Sequence, residues 1–153
     1  MIQKNEKLIC QNKKAYHDYY IEEEIEAGIV LKGTEIKSVR LGKVNLQDSY
    51  CYIKNHELFV IGMHISPYEK GNIFNHDADR TRKLLVHKRE IIKLEQRIKK
   101  DGFTLIPLRV VIRSSIAKID LALAKGKKLY DKREDMKKEE IKKETRRSVM
   151  RDA

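Results

Sequence analysis

The chain has 153 residues, 41% of them hydrophobic, which is enough for the core of one small domain. Its 34 Lys and Arg residues outnumber 23 Asp and Glu residues, and the net charge of +11 favours a polyanionic partner, nucleic acid ahead of a membrane surface. No stretch approaches the roughly 20 apolar residues that span a bilayer. Cys10 and Cys51 are the only cysteines, which excludes a disulfide scaffold. These features predict a cytoplasmic protein without a membrane partner.

The first elements are short. Residues 27–33 form an apolar run that ends at Gly33, and residues 34–39 are expected to begin a helix with Thr34 as its N-cap. These residues predict a strand followed by a helix.

A β-hairpin is predicted next. Residues 49–54 and 57–65 are rich in aromatic and β-branched side chains. Asn55 and His56 between them suit a tight turn, because such turns favour Asn.

A polar loop and an amphipathic helix follow the hairpin. Residues 66–82 contain Pro, Gly, Asn and Asp in a cluster typical of a long loop, and residues 83–86 read as a short strand. Residues 89–100 predict a helix that ends at Gly102, since apolar side chains recur at helical spacing: Ile91, Ile92, Leu94 and Ile98.

Two further strands end the predicted body. Residues 103–114 contain Pro107 in their middle, which indicates an edge strand or a break. Residues 116–125 alternate, so that one face is predicted to be core, with Ala117, Ile119, Leu121 and Leu123. Lys118 lies on the opposite face and is expected to point toward solvent or a ligand.

Short strands, one interposed helix and little βαβ alternation predict a mainly β fold with flanking helices, a small antiparallel barrel of OB type. We assign residues 1–125 to this body, a fold that is a common candidate for nucleic-acid binding, and residues 126–153 to a basic tail. The tail has 11 basic and 7 acidic residues, and Glu134 and Glu139 each precede a Lys at i,i+4.

The apolar residues of the tail form no continuous stripe, so nothing in its sequence fastens a helix to the body. We therefore expect a tail that is disordered in isolation and helical along a polyanion. The alternative is a solvated tail that only keeps the protein soluble.

Three runs resemble the SsrA-binding protein family, also called small protein B. They are NKKAYHDYYIEEEIEAGIVLKGTEIKSVRLGKVNLQDSYCYI, DADRTRKLLVHKREI and IAKIDLALAKGKKLYDKR. The runs cover roughly residues 12–133 in the family's order and spacing, and the combination is long and specific.

The resemblance implies an OB-type barrel that is an adaptor and not an enzyme. It implies binding to the tRNA-like domain of transfer-messenger RNA and its delivery to stalled 70S ribosomes for trans-translation. Elongation factor Tu and alanyl-tRNA synthetase act on the same RNA. We expect a monomer that requires no cofactor and no metal.

The resemblance also assigns residues. Glu26, Leu85 and Lys118 fall on positions tied to RNA binding. The sequence alone favours Lys118 as a phosphate contact. Glu26 is expected to accept a hydrogen bond from a base or a 2′-hydroxyl, or to hold a neighbouring Lys or Arg. The residue pattern favours a core position for Leu85, whereas the resemblance allows it to lie beneath an unstacked base.

In the tail the resemblance implies a role in the decoding region and the empty messenger channel. The matched positions are Gly126, Lys127, Lys128, Tyr130, Asp131, Lys132 and Arg133. Tyr130 stands where the family commonly has His and keeps a face for stacking. Asp79 stands where relatives often have Pro, and we expect Arg80 and Arg82 to offset its charge.

Two other classes of function remain open at this point. A generic single-strand-binding or ribosome-associated OB module fits the basic charge. A metal-dependent phosphohydrolase would use His76 and Asp77, but such a site needs further ligands and a general acid or base.

Overall fold

A computed structural model of the chain describes residues 6–69 and 75–127. The predictions for Lys128, Tyr130, Asp131, Lys132 and Arg133, and for the conformation of the tail, lie outside these residues. Among the described residues, no helix is both long and apolar enough to cross a membrane.

The described residues form short helices and mostly antiparallel strands. The strands are β1 (Glu6–Gln11), β2 (Tyr19–Ile29), β3 (Val44–Asn45), β4 (Tyr50–Lys54), β5 (Glu57–Ile61), β6 (His64–Ile65), β7 (Arg82–Leu85), β8 (Thr104–Arg113) and β9 (Ile116–Gly126). The helices are α1 (Lys13–Asp18), α2 (Gly33–Arg40) and α3 (Lys88–Asp101).

The main sheet closes on itself. Its strand order is β1-β8-β4-β5-β7-β2-β9, and β8 also pairs with β9, so that β8, β4, β5, β7, β2 and β9 form a ring. The pairs in this ring are antiparallel. β1 lies outside this ring and pairs with residues 109–113 of β8. β3 and β6 form a separate two-stranded sheet. The predicted mainly β, OB-type barrel is confirmed.

The interior of the ring is apolar. It includes Leu58 and Val60 of β5, Leu84 of β7, and Ile119 and Leu121 of β9, each at most 1% exposed. The predicted core face of residues 116–125 is therefore confirmed, with Ala117 half-buried at its start.

The opposite face of β9 is only partly exposed to solvent. Ala122 and Ala124 on this face pack with Ala15 of α1 and with Ile106 and Leu108 of β8 in a second apolar cluster. The three alanine side chains are small, so α1 can lie close against the outside of the barrel.

The predicted hairpin is confirmed, and its turn has the expected residues. Tyr50–Lys54 pairs with Glu57–Ile61, and both Asn55 and His56 have positive φ, 53° and 59°. Two-residue turns of this kind match the right-handed twist of the flanking strands.

The second strand of the hairpin ends earlier than predicted. Gly62 has φ of +82°, and a Cβ there would lie 2.9 Å from the carbonyl oxygen of Asp48. The chain turns at this glycine, and residues 64–65 pair with β3 instead. The prediction of one continuous strand over residues 57–65 is wrong.

The two longer helices confirm their predicted positions, with one correction. α3 ends at Gly102, whose φ of 70° is the left-handed conformation typical of a helix C-terminus. In α2 the N-cap is Lys32, so the prediction of Thr34 is wrong. The carboxylate of Glu35 accepts the backbone N–H of Lys32 at 2.9 Å and stabilises this first turn instead.

Pro107 lies inside a strand that has neighbours on both sides. It pairs with Leu121 of β9, and its carbonyl accepts a hydrogen bond from the Asn12 side chain at 3.1 Å. The prediction of an edge strand is wrong. The register shifts between Pro107 and Arg109, so the predicted break takes the form of a β-bulge next to Pro107.

A buried charge cluster fixes the segment before β7. Glu35 and Arg82 are both 0% exposed, and Glu35 accepts hydrogen bonds from Arg80 and Arg82. Asp79 contacts His64 at 2.8 Å instead. Both guanidinium groups form their direct ion pairs with Glu35, so the predicted offset of the charge of Asp79 takes the form of a longer-range attraction to Arg82 and not of an ion pair.

Candidate nucleic-acid interface

Three neighbouring strands bring the predicted RNA-binding residues together. Gly28 of β2 lies directly opposite Leu85 of β7 on one side and opposite Lys118 of β9 on the other. Directly opposed residues of antiparallel strands share a face, and so do residues i and i+2 of one strand, which adds Glu26. We call these four residues the Gly28 row.

The Gly28 row lines an open groove on the outside of the barrel. The groove has a volume of about 580 Å³ and lies between the row and the first turn of α3. Its wall on the helix side includes His87 and Lys88. The residues come from segments nearly a hundred positions apart in sequence, so only the closed sheet brings them together.

Leu85 is 53% exposed, although the residue pattern favoured a core position. β7 alternates between buried and exposed residues, and Leu84 takes the core position at 1% exposure. Because a run of two leucines does not show which of them faces inward, the pattern alone could not resolve this. The exposed position agrees with the alternative that the resemblance allowed.

Lys118 is half-buried on the outer face, as the alternation predicted. Among residues 6–69 and 75–127, no carboxylate forms an ion pair with it. Its ammonium group is therefore available to a phosphate, and pairing with one would cost no internal salt bridge.

Glu26 holds an arginine. Its Oε2 accepts a hydrogen bond from Arg113 at 2.7 Å, and its side chain is 49% exposed. Arg113 also donates to Glu6 at 2.9 Å and to Asp120 at 2.9 Å. This geometry agrees with the prediction that Glu26 positions a neighbouring cation.

Asp120 lies at the centre of this charge network. It is 5% exposed and accepts hydrogen bonds from Arg113 and, at 2.7 Å, from Arg109. Burial by itself would raise the pKa of Asp120, but the two guanidinium groups outweigh burial and hold that pKa below its ordinary value. The hydrogen bond from Arg113 to Asp120 in turn raises the pKa of Arg113. Asp120 and Arg113 therefore stay charged at neutral pH.

The tyrosines of the barrel differ in how far their rings are open to a base. Tyr16, Tyr20 and Tyr50 are 37%, 49% and 48% exposed, respectively. Tyr52 stacks on Phe59 with ring centroids 5.3 Å apart, so one of its faces is already covered.

The start of the predicted tail is joined to the barrel. Gly126 is the last residue of β9 and pairs with Tyr19. Lys127 donates its backbone N–H to Asp18 at 2.8 Å, and its ammonium group lies 4.9 Å from the ring centroid of Tyr20. The ladder therefore continues through the first residue assigned to the tail.

A metal-dependent phosphohydrolase needs a cluster of metal-binding side chains. In the part of the chain that the structure describes, no group of three or more His, Cys, Asp or Glu residues could hold a metal ion. His76 is 5% exposed, and both of its ring nitrogens form hydrogen bonds within the protein, with the hydroxyl of Thr34 at 2.8 Å and with the carbonyl of Ile65 at 2.9 Å.

Both described cysteines are free thiols whose pKa values are raised by burial.

Sequence reasoning missed Gly28 and the two arginines of the charge network. Gly28 was read only as part of an apolar run, because its place between Leu85 and Lys118 depends on strand pairing. Arg109 and Arg113 are four positions apart in β8, and this even spacing in a strand could have indicated that they share a face.

Comparison with known proteins gives consistent matches. The sequence model of the family described as SmpB protein matches residues 9–151. An SsrA-binding protein of Geotalea uraniireducens (strain Rf4) is 59% identical over 140 residues, which cover 92% of this chain and 93% of the relative. An SsrA-binding protein of Anoxybacillus flavithermus (strain DSM 21510 / WK1) is 60% identical over 142 residues, 93% of this chain and 92% of the relative.

A solved structure is also similar. It is described as "tmRNA-SmpB: a journey to the center of the bacterial ribosome", and one of its chains aligns with a TM-score of 0.66 at 45% identity. The alignment covers 78% of this chain and 85% of that chain.

Proposed function

This chain belongs to the SmpB protein family, and from that membership we propose that it is an RNA-binding adaptor of trans-translation. It binds the tRNA-like domain of transfer-messenger RNA and delivers that RNA to stalled ribosomes. The observation that carries the proposal is the meeting of Glu26, Leu85 and Lys118 around one groove on the barrel.

The three side chains offer different contacts to RNA. Lys118 supplies a cation to a backbone phosphate, which positions the RNA without reading its sequence. Leu85 offers an exposed apolar surface to a base. Glu26 orients Arg113 through its Oε2. Its carboxylate can also accept a hydrogen bond from a base or a 2′-hydroxyl.

The barrel and the tail serve different RNA molecules in this proposal. The body, residues 1–125, binds transfer-messenger RNA. The tail, residues 126–153, becomes helical in the empty messenger channel and the decoding region, where ribosomal RNA phosphates attract its basic side chains. Lys127 is the second residue of this segment, and its contacts with Asp18 and Tyr20 support a tail that starts from a fixed point on the barrel.

In this proposal the adaptor acts as a monomer and catalyses no reaction. Elongation factor Tu and alanyl-tRNA synthetase act on the same RNA, so the groove must bind a region that leaves the acceptor end accessible to both.

Competition binding tests the proposal. Full-length protein is titrated with the tRNA-like domain of transfer-messenger RNA over a salt series, in the presence of excess elongator tRNA or single-stranded RNA. We expect binding that survives both competitors. Complete displacement by single-stranded RNA would favour a generic OB module, which prefers unstacked strands. Displacement by elongator tRNA would contradict specificity for transfer-messenger RNA.

A further inference from the structure

Helix α3 turns a row of basic side chains away from the barrel. Its buried side, which includes Ile91 and Leu94, packs on the core. With 3.6 residues per turn, the opposite side carries four residues within about 60° of one another around the helix axis. All four are exposed, and we call them the α3 crest: Arg89, Lys93, Gln96 and Lys100. The side of the helix farthest from the barrel therefore carries three cations and no carboxylate.

Two carboxylates of α3 lie on its flanks and are paired with cations outside the crest. Glu95 lies 2.9 Å from Lys99, and Asp101 lies 3.6 Å from Arg97. Arg97 also lies 3.5 Å from Glu23 of β2. Among residues 6–69 and 75–127, no carboxylate forms an ion pair with a crest cation. A partner could therefore neutralise the three crest charges without breaking an internal salt bridge.

The spacing of the crest fits a nucleic-acid backbone. From Arg89 to Lys100 the crest extends about 16 Å along the helix axis, at about 1.5 Å per residue. A single small anion cannot contact both ends of such a row, whereas an RNA strand carries a phosphate at each nucleotide. Gln96, between the cations, can donate its amide N–H to a phosphate oxygen. A membrane surface fits less well, because a membrane-binding helix inserts an apolar face and the apolar face of α3 lies in the core.

The crest is separate from the groove beside the Gly28 row. The lining of the groove includes residues at the start of α3, among them His87, Lys88 and Glu90, and it includes no residue of the crest. A helix with its side chains is about 10 Å thick. RNA seated on the barrel surface would therefore meet the flank of α3 and leave its far side open. An adaptor between two RNA molecules needs such a second surface.

We propose that the α3 crest is a second RNA-docking surface of the body and that its partner is ribosomal RNA. Arg89, Lys93 and Lys100 contact phosphates along one strand of an RNA duplex, and these contacts position the body without reading a sequence. The inference rests on the proposed function, in which the adaptor brings transfer-messenger RNA to the ribosome. It adds a contact by the folded body to the contacts proposed for the tail.

The test removes the three crest charges and keeps the helix. Arg89→Gln, Lys93→Gln and Lys100→Gln are combined in the full-length protein, because Gln forms helices nearly as well as Lys and Arg. Binding to purified 70S ribosomes and, separately, to the tRNA-like domain is titrated over a salt series. For the ribosome we expect at least about tenfold weaker binding at low salt. The slope of log K against log salt should become shallower by about 2.7, at about 0.9 per phosphate contact.

The matched control makes the same change in net charge on other elements. Lys7→Gln, Lys13→Gln and Arg40→Gln neutralise three exposed cations on β1, α1 and α2. We expect this control to bind ribosomes within about twofold of wild type. The tRNA-like domain should bind the crest variant and the control equally. Equal losses of ribosome binding in both variants would show that net charge governs binding, and this result would overturn the proposal.

Two other results would also overturn the proposal. Weaker binding of the crest variant to the tRNA-like domain, with unchanged ribosome binding, would assign the crest to transfer-messenger RNA. Unchanged binding to both would show that the crest is only a solvated helix face. Failure of wild type to bind the tRNA-like domain selectively would overturn the proposed function instead, and the ribosome titration would still report on the crest.

Discussion

Glu35 brings a negative charge into the protein interior, where only ion pairing makes it tolerable. Its side chain is 0% exposed and accepts hydrogen bonds from Arg80 and Arg82. Arg82 is equally buried and donates to the carbonyls of Met63 at 2.7 Å and Ala78 at 3.1 Å. The cluster therefore joins α2, the residues before β7 and β7 itself.

Removing the charge of Glu35 should destabilise the protein. Glu35→Gln leaves the guanidinium of Arg82 buried without its counter-charge, and we expect a loss of roughly 3 kcal/mol in the free energy of unfolding. Urea denaturation followed by circular dichroism measures it. Glu95→Gln, which breaks an exposed pair with Lys99, should leave the midpoint near that of wild type. Equal midpoints for both variants would contradict the stabilising role of the buried cluster.

The same carboxylate predicts how stability depends on pH. Burial would raise the pKa of Glu35, but hydrogen bonds from Arg80, the Lys32 backbone and Arg82 outweigh it and lower the pKa below the ordinary 4.5. A carboxylate with a lowered pKa in the folded state stabilises the fold above its unfolded pKa, and this stability is lost as pH falls through the folded pKa.

We expect the free energy of unfolding to change little from pH 7 to about pH 5 and to fall steadily below about pH 4.5. Asp120, whose pKa is also lowered, adds to this fall. Urea unfolding at a series of pH values measures the profile. Glu35→Gln should flatten part of the acid decline, and a decline as steep as in wild type would show that Glu35 is not its source.

At the scale of the elements, β8 and β9 form the longest β-hairpin among the described residues. Arg113 pairs with Ile116, and the two residues between them, Ser114 and Ser115, have positive φ of 49° and 67°. This conformation favours Gly and disfavours side chains branched at Cβ. The turn is therefore formed by residues that are not optimal for it.

Substitutions at Ser115 should change stability in opposite directions. Ser115→Gly relieves the unfavourable backbone conformation and should raise the free energy of unfolding by up to about 1 kcal/mol. Ser115→Val should lower it, since a β-branched residue at positive φ is strained. Chemical denaturation of both variants measures the pair. Changes of the same sign would contradict the turn geometry.

At the scale of the whole molecule, the proposed function separates two activities. The groove lies on the barrel, whereas the residues proposed to act in the decoding region belong to residues 126–153. Groove residues such as Leu85 and Lys118 are anchored in strands that pair within the barrel. Loss of the tail should therefore leave the groove intact.

Deletion of residues 131–153 should spare binding to transfer-messenger RNA and abolish tagging on stalled ribosomes. Binding is measured by titration with the tRNA-like domain, and tagging by a reconstituted translation assay on a message without a stop codon. Lys118→Ala is the complementary variant, since it should weaken binding first. Parallel loss of both activities after the deletion would contradict the division between body and tail.

The sequence by itself determined the local elements and the kind of partner. The net charge of +11 indicated a polyanion, apolar spacing predicted α3 with its end at Gly102, and Asn55 with His56 predicted the hairpin turn. These features follow from periodicity and backbone preference, which act over a few neighbouring residues. The family resemblance added Glu26, Leu85 and Lys118 as candidates.

Only the tertiary structure decided which face each candidate occupies. Register across β7, β2 and β9 exposes Leu85, sets Gly28 between it and Lys118, and pairs Glu26 with Arg113. The strand β8 pairs with β9 on one edge and with β1 and β4 on the other, so Pro107 does not lie in an edge strand. Arg80 and Arg82 pair with the buried carboxylate of Glu35. These outcomes depend on contacts between residues far apart in the chain, and a local pattern contains no information on which distant strand will be the neighbour.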